Sequence, residues 1–144
     1  MSKVSTYLNF PGNAWEAFNF YKSVFGGEFL GDVVRMKDMP GASDSYEIPE
    51  NEKNLIMHIE LPITGGHILM ASDVPPSMGF NLTFGNHVSI MVEPDSKEET
   101  DRLFNGISKG GEITSPLQDM FWGAYYGTCS DKFGVNWMFN FYTK

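Results

Sequence analysis

Apolar and polar positions alternate in several short stretches of the chain and follow a helical period in two longer ones. Residues 4–10 place Val4, Thr6, Leu8 and Phe10 on one face, which predicts a half-buried strand. Large apolar side chains three or four positions apart then predict a helix over 14–25 that packs on a sheet; they are Trp15, Phe18, Tyr21, Val24 and Phe25. Further predicted strands of the first half cover 28–36, 55–61 and 67–72, and alternation in the second of these predicts four helix-facing residues: Leu55, Met57, Ile59 and Leu61.

The second half repeats this order. Residues 87–93 alternate like the first strand, and residues 97–109 have a thinner apolar stripe at helical spacing. Both helices end at a glycine pair, and the two pairs, Gly26–Gly27 and Gly110–Gly111, are 84 residues apart. This spacing is too long for a solenoid and indicates a duplicated half-domain. Three more strands are predicted over 112–118, 122–130 and 135–142.

Polar residues at both helix starts fit capping. Asn13 and Ser96 are placed to accept from free helical N–H groups, and Glu16 and Glu99 follow three residues later, where they can reach back. The glycines after each helix suit the left-handed backbone of a helix C-terminus. We therefore expect the two helices to begin and end by the same means.

Two segments lack a hydrophobic period. Residues 37–54 are polar with Gly and two Pro, which predicts a loop that either closes over a ligand or packs on a partner subunit. Residues 74–85 contain Pro75–Pro76, whose stiffness suits a crossover between modules. The prediction is a single domain, 1–144, of two βαβββ modules at about 1–73 and 86–144, linked by 74–85.

The predicted strand faces directed away from the helices are mixed rather than apolar. Tyr7 and Asn9 lie on such a face in the first strand, His58 and Glu60 in a hairpin strand, and Asn140 in the last. A sheet that curls over these faces forms a cup. Polar groups in a cup cost ~1–3 kcal/mol each if they stay unpaired, so they meet water, one another or a ligand.

Composition excludes several classes of protein. At 144 residues, 42% hydrophobic and 15% aromatic, the chain can fold as one ordinary domain and is not disordered. No apolar run approaches a membrane span, the start has no signal-peptide core, and Cys129 has no second cysteine to pair with. These features favour a soluble cytoplasmic protein. The net charge of −8, without a basic cluster, argues against nucleic acid as a partner.

Several short motifs follow one another along the chain: YLNF before GNA, FYKSVFGG, LMASD, PLQD, FWGAYYG and DKFG before an aromatic strand. This ordered set resembles the vicinal oxygen chelate superfamily, and most closely its PhnB-like branch. The resemblance covers nearly the whole chain and implies an α+β fold in which two paired βαβββ modules form a curled mixed β-sheet cup with helices outside. That superfamily includes glyoxalases, fosfomycin-resistance enzymes, extradiol dioxygenases and bleomycin-binding proteins, so the resemblance implies a small-molecule cavity but no single chemistry.

Metal enzymes of this superfamily take ligands from the first and last strands of each half, and the resemblance transfers only one of the four. His87 matches the position in the second half. The counterpart between Lys3 and Tyr7 has no His, Asp, Glu or Cys, the strand 67–72 has no carboxylate, and Met138 stands where a Glu is usual. Since catalytic sites generally supply three protein ligands, the resemblance implies that the inherited metal site is lost.

Two functions stay open. The first is a metal-independent module that binds a small molecule and needs no cofactor; its ligand-binding candidates are Tyr7, Asn9, His58, Glu60, His87, Trp122 and Asn140. The second is a metal-dependent lyase or isomerase of the glyoxalase type, or a thiol transferase of the resistance type, in which His58, Glu60 and His87 hold Zn, Ni, Mn or Fe. No catalytic residue is assigned, because nucleophile elbows, Walker loops and dinucleotide fingerprints are all absent from the sequence.

A homodimer is expected as well. Each half offers a four-stranded sheet whose edges need cover, and residues 121–126 supply aromatic surface for it. Cys129, within a predicted strand, is interpreted as a small buried residue rather than a nucleophile.

Overall fold

The computed structural model describes residues 2–38 and 48–142, in two compact units that divide the sequence at residues 83 and 84. The first unit contains β1 (Thr6–Phe10), α1 (Ala14–Phe25), β2 (Val34–Arg35), β3 (Ile56–Ile63) and β4 (His67–Asp73). The second contains β5 (Ile90–Val92), α2 (Lys97–Ser108), β6 (Glu112–Asp119), β7 (Ala124–Ser130) and β8 (Asn136–Tyr142). Most of the predicted loop 37–54 lies outside the described residues.

Each unit is a four-stranded mixed sheet with one helix against it. The strand order is β1-β4-β3-β2 in the first unit and β5-β8-β7-β6 in the second. In both units the first strand pairs in parallel with the last, and the other pairings are antiparallel. The two sheets therefore have the same topology, which confirms the predicted α+β class and the repeated βαβββ order.

The core of the first unit lies between α1 and the central strands. Phe18 and Tyr21 of α1 are fully buried, and the Phe18 ring meets Phe10 of β1 edge to face, with centroids 6.3 Å apart. Ile59 and Leu69, from β3 and β4, are also fully buried. Trp15 is not part of this core, although the helical spacing predicts it there. It is 41% exposed, and the Arg35 guanidinium lies 4.9 Å from its ring centroid.

A bulge in β3 changes which residues face the helix. Val34 pairs with His58, whereas the next residue, Arg35, pairs with Ile56, so Met57 is the extra residue on β3. Ile56 is consequently buried and Met57 is exposed. The strict alternation predicted for residues 55–61 is therefore wrong at its start and right from Ile59 onward.

The core of the second unit repeats this arrangement. Leu103, Phe104 and Ile107 of α2 are buried, as predicted, and Phe104 meets Phe139 edge to face with ring centroids 5.7 Å apart. Trp137 of β8 is fully buried beside them. The predicted inward face of the last strand is thus confirmed at its centre.

Five predicted strands are too long, and two of them, 4–10 and 135–142, lose only their first one or two residues. In the predicted strand 28–36, only Val34–Arg35 is a strand. Gly31 has a positive φ of 69°, and before it the backbone N–H of Leu30 donates to the carbonyl of Glu60. Of 87–93 only Ile90–Val92 is strand, because the Asn136 side chain donates to the carbonyls of Gly85 and Val88. Strand β7 begins at Ala124, because residues 120–123 form a turn.

Capping differs between the helices. Ser96 accepts from the backbone N–H of Glu99 at 3.0 Å, as predicted. Asn13 makes no such bond, and its buried Oδ1 has no partner among the described residues. Asp73, at the end of β4, replaces it: its Oδ1 accepts from the N–H groups of Gly12 and Ala14, and its Oδ2 from that of Ile56. The expected equivalence of the two helix starts is therefore wrong.

The glycine pairs are required for two different reasons. Gly26, Gly27 and Gly110 have φ values of 83°, 81° and 82°, as a helix C-terminus demands. Gly111 does not. A Cβ at Gly111 would lie 2.2 Å from the carbonyl oxygen of Ser130, so this position needs glycine because two backbone segments approach each other closely.

We predict that Asp73→Asn destabilises the protein by about 2–4 kcal/mol. Asp73 accepts from three backbone N–H groups, and in the variant the NH₂ group of Asn faces one of them, which then has no acceptor. The matched control is Asp119→Asn, whose carboxylate is exposed and 3.4 Å from Lys97. It should change the free energy of unfolding by less than about 1 kcal/mol. Urea denaturation followed by circular dichroism measures both, and equal losses would refute this role of Asp73.

Candidate functional site

Four polar side chains form a hydrogen-bonded row on the face of the first sheet opposite α1. Tyr7 lies on β1, Ser72 on β4, and His58 and Glu60 on β3. In the ladder, Tyr7 and Glu60 both pair with Met70 of β4, so their side chains share one face across that strand. The strand alternation predicted this face, and the structure brings three of the predicted site residues together on it.

The row runs from a carboxylate to a hydroxyl. Glu60 Oε2 is 2.7 Å from His58 Nε2, and His58 Nδ1 is 3.4 Å from the Tyr7 hydroxyl. The Tyr7 hydroxyl also bonds to Ser72 Oγ, and Ser72 Oγ donates to the carbonyl of Met57 at 2.7 Å. This arrangement contains a carboxylate, an imidazole and a phenol in sequence, which are the groups that proton transfer uses.

A cavity of about 400 Å³ lies in the same unit. Asn9 lines it and connects it to the row, since Asn9 is two residues from Tyr7 on the same face of β1 and pairs with Ser72. This volume is within the range of small-molecule sites. The other lining residues are mainly apolar: Met36, Met57, Asp73, Val74, Pro75, Met78, Phe80, Asn81 and Leu82.

The segment after β4 forms much of the cavity wall, and a buried carboxylate holds it. Glu52 is only 4% exposed; its Oε1 accepts from the Ser77 hydroxyl at 2.6 Å and its Oε2 from the Ser77 N–H at 3.0 Å. These bonds fix the short 3₁₀ turn Pro76–Met78. The segment predicted as a linker thus forms part of the cavity wall.

The remaining predicted site residues lie in the second unit, in three different settings. His87 is exposed and precedes β5. Trp122 is 53% exposed in the turn before β7, and its ring meets that of Phe121 at 4.9 Å between centroids. Asn140 is buried and donates to Glu93 Oε2 at 3.2 Å, so its amide is already engaged.

The donor set does not fit a divalent metal. No group of three or more His, Cys, Asp or Glu side chains within residues 2–38 and 48–142 is arranged to hold one. His58 Nε2 already bonds to Glu60, and Asp73 already accepts from three backbone N–H groups. Divalent sites with protein ligands need several free donors at once.

In the second unit, the pKa values of Cys129 and Tyr125 are raised, so neither side chain is activated as a nucleophile. Burial, with the nearby charge of Asp131, raises the pKa of the Cys129 thiol to about 12. The hydrogen bond from the Tyr125 hydroxyl to Asp101, at 2.5 Å, raises the pKa of Tyr125 to about 12. Cys129 is thus protonated at neutral pH, as a buried residue rather than a nucleophile would be.

Comparison with known proteins places the chain in a family. The family model described as 3-demethylubiquinone-9 3-methyltransferase matches residues 2–139. The chain belongs to this PhnB-like family. Protein YjdN of Escherichia coli K12 is 31% identical over 141 residues, which cover 95% of this chain and 93% of that protein. The resemblance drawn from the motifs is thereby confirmed.

Solved structures agree with the PhnB-like assignment. PA1353 from Pseudomonas aeruginosa is 36% identical, with a TM-score of 0.82 and coverage of 98% of both chains. The PhnB protein from Bacillus cereus is 27% identical, with a TM-score of 0.76 and coverage of 97% of this chain and 99% of that one. A glyoxalase/bleomycin resistance/dioxygenase family enzyme from Burkholderia phytofirmans, 17% identical, with a TM-score of 0.59 and coverage of 95% of this chain and 97% of that one, shows the fold alone.

Sequence reasoning missed most of the cavity wall in this PhnB-like chain. Met57 was assigned to the helix-facing side because the bulge gives no local sequence signal. Phe80 and Leu82 belong to the predicted linker, where two apolar side chains among polar ones were the available sign of a surface.

Both α1 and α2 are twelve residues long, and no helix in the described part of the chain is long and apolar enough to cross a membrane.

Proposed function

We propose that this PhnB-like protein binds a small molecule with an apolar or aromatic body and one polar group, without a metal ion, in the cavity of the first unit. The observation that carries the proposal is the position of this mostly apolar cavity beside the polar row on β1, β3 and β4. Family membership supports the fold, while the proposed activity rests on the site.

The cavity wall suits an apolar body of variable shape. Met36, Met57 and Met78 contribute three unbranched thioether side chains, which adapt to irregular ligands and make favourable contacts with aromatic rings. Phe80 adds an aromatic surface that is 67% exposed, and therefore gains from being covered. Among the described residues, no Lys or Arg lines this cavity. A ligand thus gains chiefly by burying apolar area.

Asn9 supplies the polar end of the site. No described residue pairs with its side-chain amide, which offers both donors and an acceptor at the cavity wall. Tyr7 lies two residues along the same face and is 49% exposed, so its side chain is within the reach of a ligand at Asn9. A single carbonyl, hydroxyl or carboxyl group on the ligand can bond to this pair and fix its orientation.

The metal-dependent alternative requires Zn, Ni, Mn or Fe, and His87, one of its three candidate ligands, lies outside a strand in this structure. Elemental analysis of freshly purified protein separates the two functions. We expect less than about one metal ion per ten chains. Stoichiometric metal that His87→Ala removes would instead favour the enzyme.

Ligand binding should stabilise metal-free protein. After EDTA treatment, a panel of small aromatic compounds, each with one carbonyl, hydroxyl or carboxyl group, is screened by thermal unfolding. A compound at 100 times its dissociation constant should add ~2.7 kcal/mol of stability. Met57→Glu should weaken this binding at least about tenfold, or ~1.4 kcal/mol, because it puts a charge in the apolar wall.

The matched control is Met91→Glu, which changes another exposed strand methionine, outside the cavity lining. It should leave the affinity within about twofold, well below the tenfold step of 1.4 kcal/mol. Equal affinity in the two variants, or stabilisation that only metal-loaded protein shows, would refute the proposal.

We also propose that the protein is a homodimer. In the second unit, β5 and β6 are edge strands, and the turn before β7 presents Phe121, which is 96% exposed, beside Trp122. Such apolar surface is normally covered in a stable protein. Light scattering on a size-exclusion column should give about twice the chain mass of 16.2 kDa. The monomer mass at micromolar concentration would contradict this.

A further inference from the structure

We propose that Glu60, His58 and Tyr7 form a metal-free acid–base centre, in which the Tyr7 hydroxyl oxygen exchanges a proton with the ligand. The inference rests on the proposed function, because the ligand must occupy the adjoining cavity. It adds an activity to that function. The ligand class is an apolar or aromatic molecule with an acidic O–H group, or with a C–H group beside a carbonyl.

The proton positions follow from which atoms are able to donate. The Glu60 carboxylate only accepts, so the hydrogen in its 2.7 Å contact belongs to His58 Nε2. In the neutral imidazole, Nδ1 then carries a lone pair, and it is Nδ1 that lies 3.4 Å from the Tyr7 hydroxyl. Glu60 thus sets the tautomer that turns a basic nitrogen toward a phenol, as the carboxylate does in a carboxylate–histidine–hydroxyl triad.

Ser72 positions the phenol. Its own hydrogen is donated to the carbonyl of Met57, so toward Tyr7 the Ser72 oxygen acts as an acceptor. The single Tyr7 hydrogen therefore has two acceptors, Ser72 Oγ and His58 Nδ1. This sharing holds the Tyr7 hydroxyl beside the base, on a side chain that is 49% exposed and two residues from Asn9 of the cavity wall.

The proposed step balances without a further reactant. His58 Nδ1 takes the Tyr7 proton, and Glu60 stabilises the imidazolium that forms. The Tyr7 phenolate takes a proton from the ligand, which is left as its conjugate base. When the ligand is a carbonyl compound, its oxygen accepts from the Asn9 amide. The enolate oxygen then takes the proton of the Tyr7 hydroxyl, and Tyr7 takes the proton held on His58 Nδ1, which gives an enol and restores both side chains. General acid–base groups of this kind contribute typically about 10²–10⁴ to a rate.

An electrophilic probe tests the centre without knowledge of the natural ligand. Benzenesulfonyl fluoride has an aromatic body for the cavity, and its sulfur reacts with an activated phenol: the Tyr7 O–S bond forms, fluoride leaves, and the Tyr7 proton goes to His58. Peptide mapping by mass spectrometry gives the rate at each tyrosine. Tyr142 is the internal control, since it is more exposed than Tyr7, at 59%, and no acid or base partner is found for it in the described chain.

Tyr7 should be sulfonylated at least about tenfold faster than Tyr142 in the wild-type protein. His58→Gln should slow Tyr7 by about tenfold or more and leave Tyr142 unchanged, because the general base is lost. Glu60→Gln should have a smaller effect, since its amide oxygen still accepts from His58 Nε2 but no longer stabilises the imidazolium by charge. Circular dichroism and urea denaturation confirm that each variant folds.

A Tyr7 rate no higher than the Tyr142 rate would overturn the proposal, and this comparison needs only wild-type protein. An unchanged Tyr7 rate in a folded His58→Gln variant would overturn it too. If Met57→Glu prevents labelling of Tyr7 while His58→Gln does not, the cavity binds the probe but the acid–base centre is wrong. The binding function then survives the loss of this inference.

Discussion

One buried carboxylate holds the first unit together at the point where its elements meet. Asp73 ends β4 and accepts from three backbone N–H groups, two at the start of α1 and one at the start of β3. Such charge-assisted bonds are roughly twice as strong as neutral ones, and no water competes at a side chain that is 5% exposed. The second unit uses Asp131 in a comparable way, since it accepts from two backbone N–H groups of the last hairpin and from the indole of Trp137.

Asp73 fixes one end of β3 and of β4, and the opposite face of that sheet carries the polar row. The row from Glu60 through His58 to Tyr7 satisfies its own hydrogen bonds, and no described residue pairs with the Asn9 amide at the cavity wall. A second buried carboxylate, Glu52, holds the segment that closes the cavity on one side. Structural carboxylates thus carry the framework, and the polar row on the opposite face takes no part in it.

The order and faces of the elements were predictable because alternation and helical spacing record burial directly. The ends of the elements were not predictable, because side-chain hydrogen bonds decide them. The Asn136 side chain donates to the carbonyls of Gly85 and Val88, just before β5, and Asp73 caps α1 in place of Asn13. The polar row was predictable in part, because side-chain alternation places Tyr7 on β1, and His58 and Glu60 on β3, on the faces directed away from the helix. The cavity was not, because the bulge at Met57 shifts that parity and the rest of the wall comes from a segment with no period.

The central claim, a metal-free ligand site in the first unit, is tested most directly by magnetic resonance of isotope-labelled methionine methyl groups. The nine methionines include three on the cavity wall, Met36, Met57 and Met78, and three in the second unit, Met91, Met120 and Met138. When an aromatic ligand is titrated into EDTA-treated protein, the three cavity methyl signals should shift together and saturate at one ligand per chain, while those of the three second-unit methionines stay in place. Shifts confined to the second unit, or shifts that need added metal, would contradict the account.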